Sequence, residues 1–210
     1  MRFSSSSATA SSSTPLATAR ASGDISRVYD AVRSQYTHSD QVVPDFNGSN
    51  SNLSQASLNR QMLQMLELRR GLSVADLGSG CGLTTTTFIA FGCAPVVGIE
   101  FHAKSVRVAE LMSSRTLAMC GLDARPQFIN GAVNDVLTTG AYDRLHGGYM
   151  MSQGNAERYV RKNLKAGGLA VLNVGNRNIG DVVIYRKDAS GGVTARNTGL
   201  QVIFQRDAKP

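Results

Sequence analysis

From residue 72 onward, short apolar runs rich in Val, Ile and Leu alternate with longer segments of helical periodicity. The apolar runs lie at residues 72–78, 95–100, 126–131, 142–151, 169–175, 181–187 and 201–206. Helical segments follow the first, second and fourth runs, whereas the last two are joined without a helical segment, through a hairpin-like turn over 188–192. Strands that alternate with helices in this way form a parallel sheet covered by helices. The sequence therefore predicts an α/β fold, with a doubly wound, mostly parallel sheet and a C-terminal antiparallel hairpin.

Three closely spaced glycines follow the first of these runs. Residues 76–82 read Asp-Leu-Gly-Ser-Gly-Cys-Gly, which is not the G-x-G-x-x-G pattern of dinucleotide sites and contains no Walker-type G-K-[ST]. Glycines at this position let the backbone approach a ligand closely, and the N–H groups of the next helix can face an anionic group. The alternative interpretation is a tight strand-to-helix turn that binds nothing.

Two acidic residues accompany this glycine loop. Asp76 ends the first run and suits a cationic amino group, whereas Glu100 ends the second run. A carboxylate at the end of the second strand can accept both hydroxyl groups of a ribose. Because ligands of such sheets bind at the carboxyl ends of the strands, we expect the loop and both acids to form one site.

The charge of the chain lies mainly outside its N-terminal third. The 210 residues contain 22 Lys and Arg against 15 Asp and Glu, a formal net charge of +7. Residues 1–60 contain five basic and four acidic residues, so six of the seven charges belong to the rest of the chain. This excess favours an acidic partner but does not by itself indicate nucleic-acid binding. No apolar run reaches the roughly 18 residues of a membrane span, so we expect neither a nucleic acid nor a membrane as partner.

The N-terminal segment differs in composition from the rest. Residues 1–23 are almost entirely Ser, Thr and Ala, and we predict that they form a disordered tail. This composition fits a plain solvated tail, an organellar transit peptide or a bacterial secretion segment. The sequence therefore leaves the location of the protein unknown, with the cytoplasm as the default. Residues 24–70 are predicted to form a helical segment and a loop, with helices over 24–37 and from the N-cap Ser54 to residue 70.

The three cysteines, Cys81, Cys93 and Cys120, have no metal-ligand spacing and form no C-x-x-C pair. We interpret them as small buried or half-buried thiols, and we expect neither a disulfide framework nor a metal site.

The strand acid, the G-x-G-x-G loop and the second-strand acid together resemble the class I S-adenosylmethionine-dependent methyltransferases. Three later segments are similar to the protein-L-isoaspartate O-methyltransferase family, which shows a "YDRIH-G" strand and an "L-x-x-GG" turn. These segments are 142–148, 159–169 and 174–175, and residues 52–54 are similar to the "T-I-S" segment that lines the family's substrate site. The resemblance covers roughly residues 40–206. It implies a Rossmann-like domain over 71–210, with the loop within 24–70 on the substrate side.

The resemblance also implies S-adenosyl-L-methionine as the cofactor and a protein or peptide as the substrate. The residues that would bind the cofactor are Asp76, Gly78, Ser79, Gly80, Gly82, Glu100, Phe101 and Ala132. Ser54 would orient the acceptor carboxylate, or else serve only as a helix N-cap. Three segments depart from the family pattern, one of them after Phe204, where Gln205-Arg206-Asp207 replaces an apolar ending with proline. Ala56-Ser57 replaces Pro-His, and Gly131-Ala132 replaces an acid, whose adenine contact could come from Asn134 or Asp135.

The chemistry implied by the resemblance is carboxyl O-methylation of the isoaspartyl type. A carboxylate acceptor is already ionised at neutral pH, so positioning of the reactants suffices and no base is required. His146 is interpreted as a buried structural residue, but an amine or thiol acceptor would make it or Asp143 a candidate base. The alternatives are a class I methyltransferase with another acceptor, either a protein side chain or a small molecule, and a non-catalytic cofactor-binding or interaction module.

Overall fold

The computed structural model describes residues 14–37, 56–133, 142–176 and 179–203. The helices of these ranges are α1 (Pro15–Ser22), α2 (Ile25–Thr37), α3 (Ala56–Met65), α4 (Leu83–Phe91), α5 (Ala103–Met119) and α6 (Gln153–Asn163). The strands are β1 (Val74–Leu77), β2 (Val96–Glu100), β3 (Gln127–Asn130), β4 (Tyr142–Met151), β5 (Leu164–Asn176), β6 (Ile179–Lys187) and β7 (Val193–Ile203).

The seven strands form one mixed sheet in the order β3-β2-β1-β4-β5-β6-β7. The β1–β2, β1–β4, β2–β3 and β4–β5 pairs are parallel, whereas β6 is antiparallel to both β5 and β7. This confirms the predicted Rossmann-like sheet with its C-terminal antiparallel hairpin. The strand order reverses between β1 and β4, and in such sheets the ligand crevice opens at the carboxyl ends of the strands at that reversal.

The two faces of the sheet are buried in two separate clusters. Val74 of β1 belongs to the cluster formed with helices α1 to α5, whereas its neighbours Ala75 and Leu77 belong to the cluster that contains α6. Successive side chains of a strand point to opposite faces, so a central strand of this kind must be apolar on both. Asp76 is the exception in β1, and it lies on the face that carries α4.

The N-terminal helix α2 packs into the same core as the sheet. Its predicted apolar face is buried, with Val28, Tyr29 and Val32 fully enclosed. The Tyr36 hydroxyl lies 2.7 Å from Thr86 Oγ1 in α4 and 3.0 Å from Ser113 Oγ in α5. Burial raises the pKa of Tyr36, so the phenol stays neutral and hydrogen-bonded. This buried hydroxyl network ties the N-terminal segment to the two helices behind the glycine loop.

One prediction about the N-terminal segment is wrong. Residues 15–22, which we expected to be disordered, form helix α1, with Leu16 and Ala19 buried against the main core. Thr14 caps the helix, Pro15 occupies its first turn and Gly23 ends it in the left-handed conformation. These local signals outweigh the low apolar content of the segment. Residues 1–13 lie outside the described residues, so their disorder and any targeting role stay predictions.

Helix α3 is shorter than the sequence suggested. It was expected to run to residue 70, but it ends at Met65, and Glu67 has a left-handed φ of 47°. The reason is the buried Arg144 of β4, whose guanidinium donates to the carbonyl oxygens of Leu66 at 2.6 Å and Glu67 at 3.2 Å. A cation that binds the last carbonyl groups stabilises a helix end.

Helix α6 also ends before the next glycines in the sequence, Gly167 and Gly168, where a helix would commonly stop. It ends at Asn163, and β5 begins at Leu164, which pairs with the first residue of β4. The Lys187 ammonium group from β6 donates to the carbonyl oxygens of Arg161 and Leu164 at 2.7 and 2.9 Å. The distant β6 strand therefore supplies the cap of this helix.

Candidate functional site

The glycine loop lies at the carboxyl end of β1, at the reversal of strand order. Gly78, Gly80 and Gly82 have φ angles of 75°, 54° and 86°, all in the left-handed region that disfavours other residues. The N–H groups of Gly78 and Ser79 both donate to the Ile99 carbonyl oxygen, at 2.8 and 3.0 Å. The loop is thereby fixed to the end of β2, next to Glu100.

The three glycines face different surroundings. A Cβ atom on Gly80 would meet nothing within 4 Å, whereas one on Gly78 would lie 2.8 Å from Tyr149 Cδ1. Gly80 therefore presents its backbone to open space, whereas Gly78 and Gly82 must be glycine because a side chain there would clash with packed neighbours. The Ser79 hydroxyl is buried and has no hydrogen-bond partner. An orphaned hydroxyl beside an open stretch of glycine backbone fits a polar ligand on this loop.

Replacement of Gly82 with alanine is expected to lower the free energy of unfolding by about 2–4 kcal/mol, because left-handed strain and overpacking add. The new Cβ atom would lie 2.9 Å from both Ala109 Cβ and Ser113 Oγ and 2.8 Å from Phe128 Cζ. Urea denaturation measures the change. Gly121→Ala is the matched control, since Gly121 also has a left-handed φ of 69° but its Cβ atom would meet nothing within 4 Å. Equal losses in the two variants would contradict the packing argument.

Glu100 faces the loop directly. Its Oε2 accepts a hydrogen bond from the Gly80 N–H at 3.1 Å, and its Oε1 accepts one from the His102 N–H at 2.9 Å. The side chain is nearly buried. The carboxylate expected to bind ribose hydroxyl groups thus lies against the open glycine of the loop.

The residues after β2 and β3 form an exposed flank beside Glu100. Phe101 is 71% exposed, an unusual position for an aromatic ring, and its ring meets that of His102 edge-on at 5.4 Å. Ala132 lies half-buried after β3. Asn130 ends β3, and its amide donates to the carbonyl oxygens of Glu100 and Phe101 at 3.1 and 2.8 Å. Asn130 was not among the site residues predicted from the sequence, although its place at the end of a parallel strand was a usable signal.

Asp76 lies beneath the loop and is not on its surface. Its Oδ1 is 2.8 Å from Nδ1 of His146, the residue beside it in β4, and its Oδ2 accepts a hydrogen bond from the Thr85 hydroxyl at 2.6 Å. Asp76 is 1% exposed. Both carboxylate oxygens of Asp76 therefore have partners within the protein. Neither is open to the amino group of a ligand, the contact that we expected from the sequence. Instead, Asp76 joins β1, β4 and α4 under the loop.

His146 is enclosed, as the sequence interpretation expected. It is 3% exposed, its ring meets Phe88 edge-on at 5.8 Å, and its Nε2 is buried without a hydrogen-bond partner. A general base must come within hydrogen-bond reach of the proton that it removes. The enclosure of His146 therefore favours a structural role over proton transfer.

Beyond His146, strand β4 is irregular, and this irregularity was not foreseen from the sequence. Its register with β5 shifts between His146 and Met150, and bulges of this kind re-aim side chains next to functional sites. The shifted segment places Tyr149 against Gly78 of the loop. The Tyr149 hydroxyl donates to the Tyr159 hydroxyl of α6 at 3.4 Å, and burial raises its pKa well above the ordinary value.

Four basic residues that are close together in the sequence, over residues 158–165, lie on two different elements of the structure. Arg158, Arg161 and Lys162 are exposed on α6, whereas Lys165 lies in β5. The Lys165 ammonium group pairs with the Asp143 carboxylate at 2.9 Å, near the amino ends of the strands. Three of the four cations are therefore exposed on one helix, and the pairing with Lys165 removes Asp143 from the candidate bases.

Some predicted site residues fall outside the described residues, namely Ser54, Asn134 and Asp135, so their roles stay predictions. Within the described ranges, no group of three His, Cys, Asp or Glu side chains could hold a metal ion. Cys81 and Cys93 are buried free thiols, and burial raises the pKa of Cys93 to about 12. None of the helices in the part of the chain that is described has the length and apolarity needed to cross a bilayer.

Solved structures share the fold of this chain but are only distantly similar to it in sequence. A structure from Plasmodium falciparum, described as a β-aspartate methyltransferase (PCMT) in complex with S-adenosyl-L-homocysteine, superposes with a TM-score of 0.66 at 17% identity, covering 94% of this chain and 98% of that one. A protein-L-isoaspartate O-methyltransferase superposes with a TM-score of 0.55 at 19% identity, covering 73% of this chain. At these identities the similarity concerns the fold.

This chain covers only about half of the length of two of the matched structures. The chain spans 48% of the length of that second enzyme and 50% of the YcgJ protein from Bacillus subtilis, which it matches at 21% identity over 59% of its own length with a TM-score of 0.46. A search of curated protein sequences gave no significant match. In contrast, the model of the protein-L-isoaspartate(D-aspartate) O-methyltransferase family matches residues 24–205. The chain therefore belongs to the protein-L-isoaspartate(D-aspartate) O-methyltransferase (PCMT) family.

Proposed function

We propose that this protein is an S-adenosyl-L-methionine-dependent methyltransferase that methylates a carboxylate of a protein or peptide, most specifically an isoaspartyl residue. The observation that carries this proposal is the glycine loop at the reversal of strand order. It presents the open backbone of Gly80 beside the Glu100 carboxylate, within a chain that belongs to the PCMT family.

The residues around the loop fit the proposed cofactor. Glu100 would accept the ribose hydroxyl groups, Phe101 and Ala132 would contact the adenine ring, and the Ser79 hydroxyl would take the polar partner that it lacks. Asp76 acts through His146 and Thr85, which hold the loop in place. When bound, the cofactor supplies a methyl group on a positively charged sulfur.

A carboxylate acceptor agrees best with the titratable groups of the site. Amine and thiol acceptors must lose a proton, and the two candidate bases are enclosed or paired, His146 under the loop and Asp143 with Lys165. A carboxylate needs only orientation, which is worth up to roughly 7–11 kcal/mol in favourable cases. Ser54 is our proposed orienting residue on the acceptor side.

The decisive measurement is transfer of a radiolabelled methyl group to an isoaspartyl peptide and to its aspartyl twin. We expect labelling of the isoaspartyl peptide alone, with loss of the label as methanol on mild base treatment. Base-stable label in a cell extract, without transfer to the peptide, would instead support another acceptor. Binding of S-adenosylhomocysteine without any transfer would support a binding module, and absence of binding would contradict the whole proposal.

The acidic partner is a second part of the proposal. Arg158, Arg161 and Lys162 are exposed on α6, and attraction between unlike charges accelerates association at low salt. Isoaspartyl peptides with acidic flanks should therefore be methylated with a lower KM than those with basic flanks. The difference should shrink as salt is added, since screening weakens such long-range attraction.

A further inference from the structure

The carboxyl end of β4 adjoins the glycine loop on the side opposite Glu100. In the sheet, β1 lies between β2, which ends in Glu100, and β4, and neighbouring strands are about 4.8 Å apart. A ligand whose ribose is held at β2 and which extends across the loop of β1 therefore reaches β4 with its other end. In S-adenosylmethionine the sulfur is attached to the ribose through one carbon, so the sulfur lies toward the β4 side.

The group that β4 presents there is an aromatic ring. A Cβ atom on Gly78 would lie 2.8, 3.2 and 3.4 Å from Cδ1, Cβ and Cγ of Tyr149, so the ring packs directly on the first glycine of the loop. The preceding Gly148 leaves no room for a side chain, since its Cβ atom would lie 2.4 Å from the Gly78 carbonyl oxygen. The close approach of these two glycines thus brings Tyr149 to the loop.

The ring is held in place but not fully enclosed. Its hydroxyl is hydrogen-bonded to Tyr159, and the side chain as a whole is half-buried. Buried phenols stay protonated at neutral pH, so Tyr149 brings no negative charge to the site. What it can offer a ligand is the negative face of its π system, which attracts cations.

On the basis of the proposed function, we propose that the Tyr149 ring binds the positively charged sulfur of S-adenosylmethionine by a cation–π interaction and so distinguishes the methyl donor from its product. S-adenosylhomocysteine carries a neutral sulfur, which lacks this cation–π attraction and keeps only the contacts that a thioether makes with a ring. Attraction of this kind is worth roughly a 3- to 30-fold change in affinity, depending on how dry the site is. Tyr149 is thereby a specificity-determining residue that favours exchange of product for fresh donor.

The test compares the affinities of the two ligands by calorimetry in the absence of an acceptor. Tyr149→Leu should weaken binding of S-adenosylmethionine by about 3- to 30-fold while leaving that of S-adenosylhomocysteine within about twofold. Tyr149→Phe, which keeps the ring and loses the hydroxyl, should retain the wild-type ratio. Tyr142→Leu is the matched control, because Tyr142 lies at the opposite end of the same strand and is also half-buried.

The outcomes separate this inference from the function on which it rests. A wild-type protein that binds neither ligand would overturn both. Binding of both ligands with an equal loss in Tyr149→Leu, or with no loss, would overturn the role of Tyr149 alone. If Tyr149→Leu does not fold, a trifluorinated phenylalanine introduced at position 149 keeps the ring's shape but removes its negative face. An unchanged ratio of affinities relative to Tyr149→Phe would then overturn the inference.

Discussion

Replacement of Asp76 with alanine is expected to lower the free energy of unfolding by about 2–6 kcal/mol, because it leaves two buried hydrogen-bonding groups unsatisfied at about 1–3 kcal/mol each. The variant leaves two buried groups without their acceptor, Nδ1 of His146 at 2.8 Å and the Thr85 hydroxyl at 2.6 Å. Asp76 and His146 are 1% and 3% exposed, so the groups left behind cannot turn to bulk solvent for a new partner. Denaturant unfolding followed by circular dichroism measures the change.

Two further variants make this measurement specific. Asp76→Asn keeps a hydrogen-bonding group for each neighbour and removes only the charge, so we expect a smaller loss of about 1–2 kcal/mol. Asp30→Ala removes an acid of the same type from the exposed Asp30–Arg60 pair, which has a similar distance of 2.7 Å. Exposed pairs contribute only about 0–1 kcal/mol. A loss in Asp76→Ala no larger than that in Asp30→Ala would contradict the positioning role of Asp76 under the loop.

Replacement of Glu100 with alanine is expected to weaken binding of S-adenosylhomocysteine by at least about 100-fold. Each hydrogen bond between a ribose hydroxyl and a carboxylate contributes about 1.5–3 kcal/mol, and Glu100 can accept two of them. The variant also releases the Gly80 N–H and the His102 N–H, which the carboxylate holds at 3.1 and 2.9 Å. Isothermal titration calorimetry with the purified protein measures the affinity.

The control for this prediction is Glu110→Ala. It removes an exposed acid from α5 and changes the net charge by the same amount as Glu100→Ala. It should leave the affinity within about twofold, since exposed charges at a distance are screened by salt. Circular dichroism at the titration temperature shows whether Glu100→Ala is folded. A folded Glu100→Ala variant with normal affinity would remove Glu100 from the proposed site.

The sheet and its glycine loop were predictable because their signals are local. The apolar runs and the helical segments between them gave the parallel sheet with its terminal hairpin, which the structure confirms. The G-x-G-x-G loop followed from residues next to one another in the chain, and only glycine tolerates the left-handed φ angles found there. The apolar face of α2 was equally predictable, since a period of 3.6 residues lies within a short stretch of sequence.

The ends of helices depended on residues far away in the chain. Helix α3 stops at Met65 because Arg144 binds the carbonyl oxygens that follow it, and α6 stops at Asn163 next to the Lys187 ammonium group. Neither partner can be read from the helix itself. Helix α1 was missed although its signals are local. The prediction relied on the Ser, Thr and Ala composition of residues 1–23 and did not consider the capping residues at both ends of the helix.

The sequence by itself determined the fold class and the place of the loop, because periodicity and glycine conformation are properties of neighbouring residues. Only the tertiary structure decided what each side chain of the site does. It paired Asp76 with His146 across two strands distant in the chain, set the Glu100 carboxylate against Gly80, and brought Tyr149 onto Gly78. The physical reason is that burial and hydrogen-bond partners arise from strand register and packing, which no local pattern records.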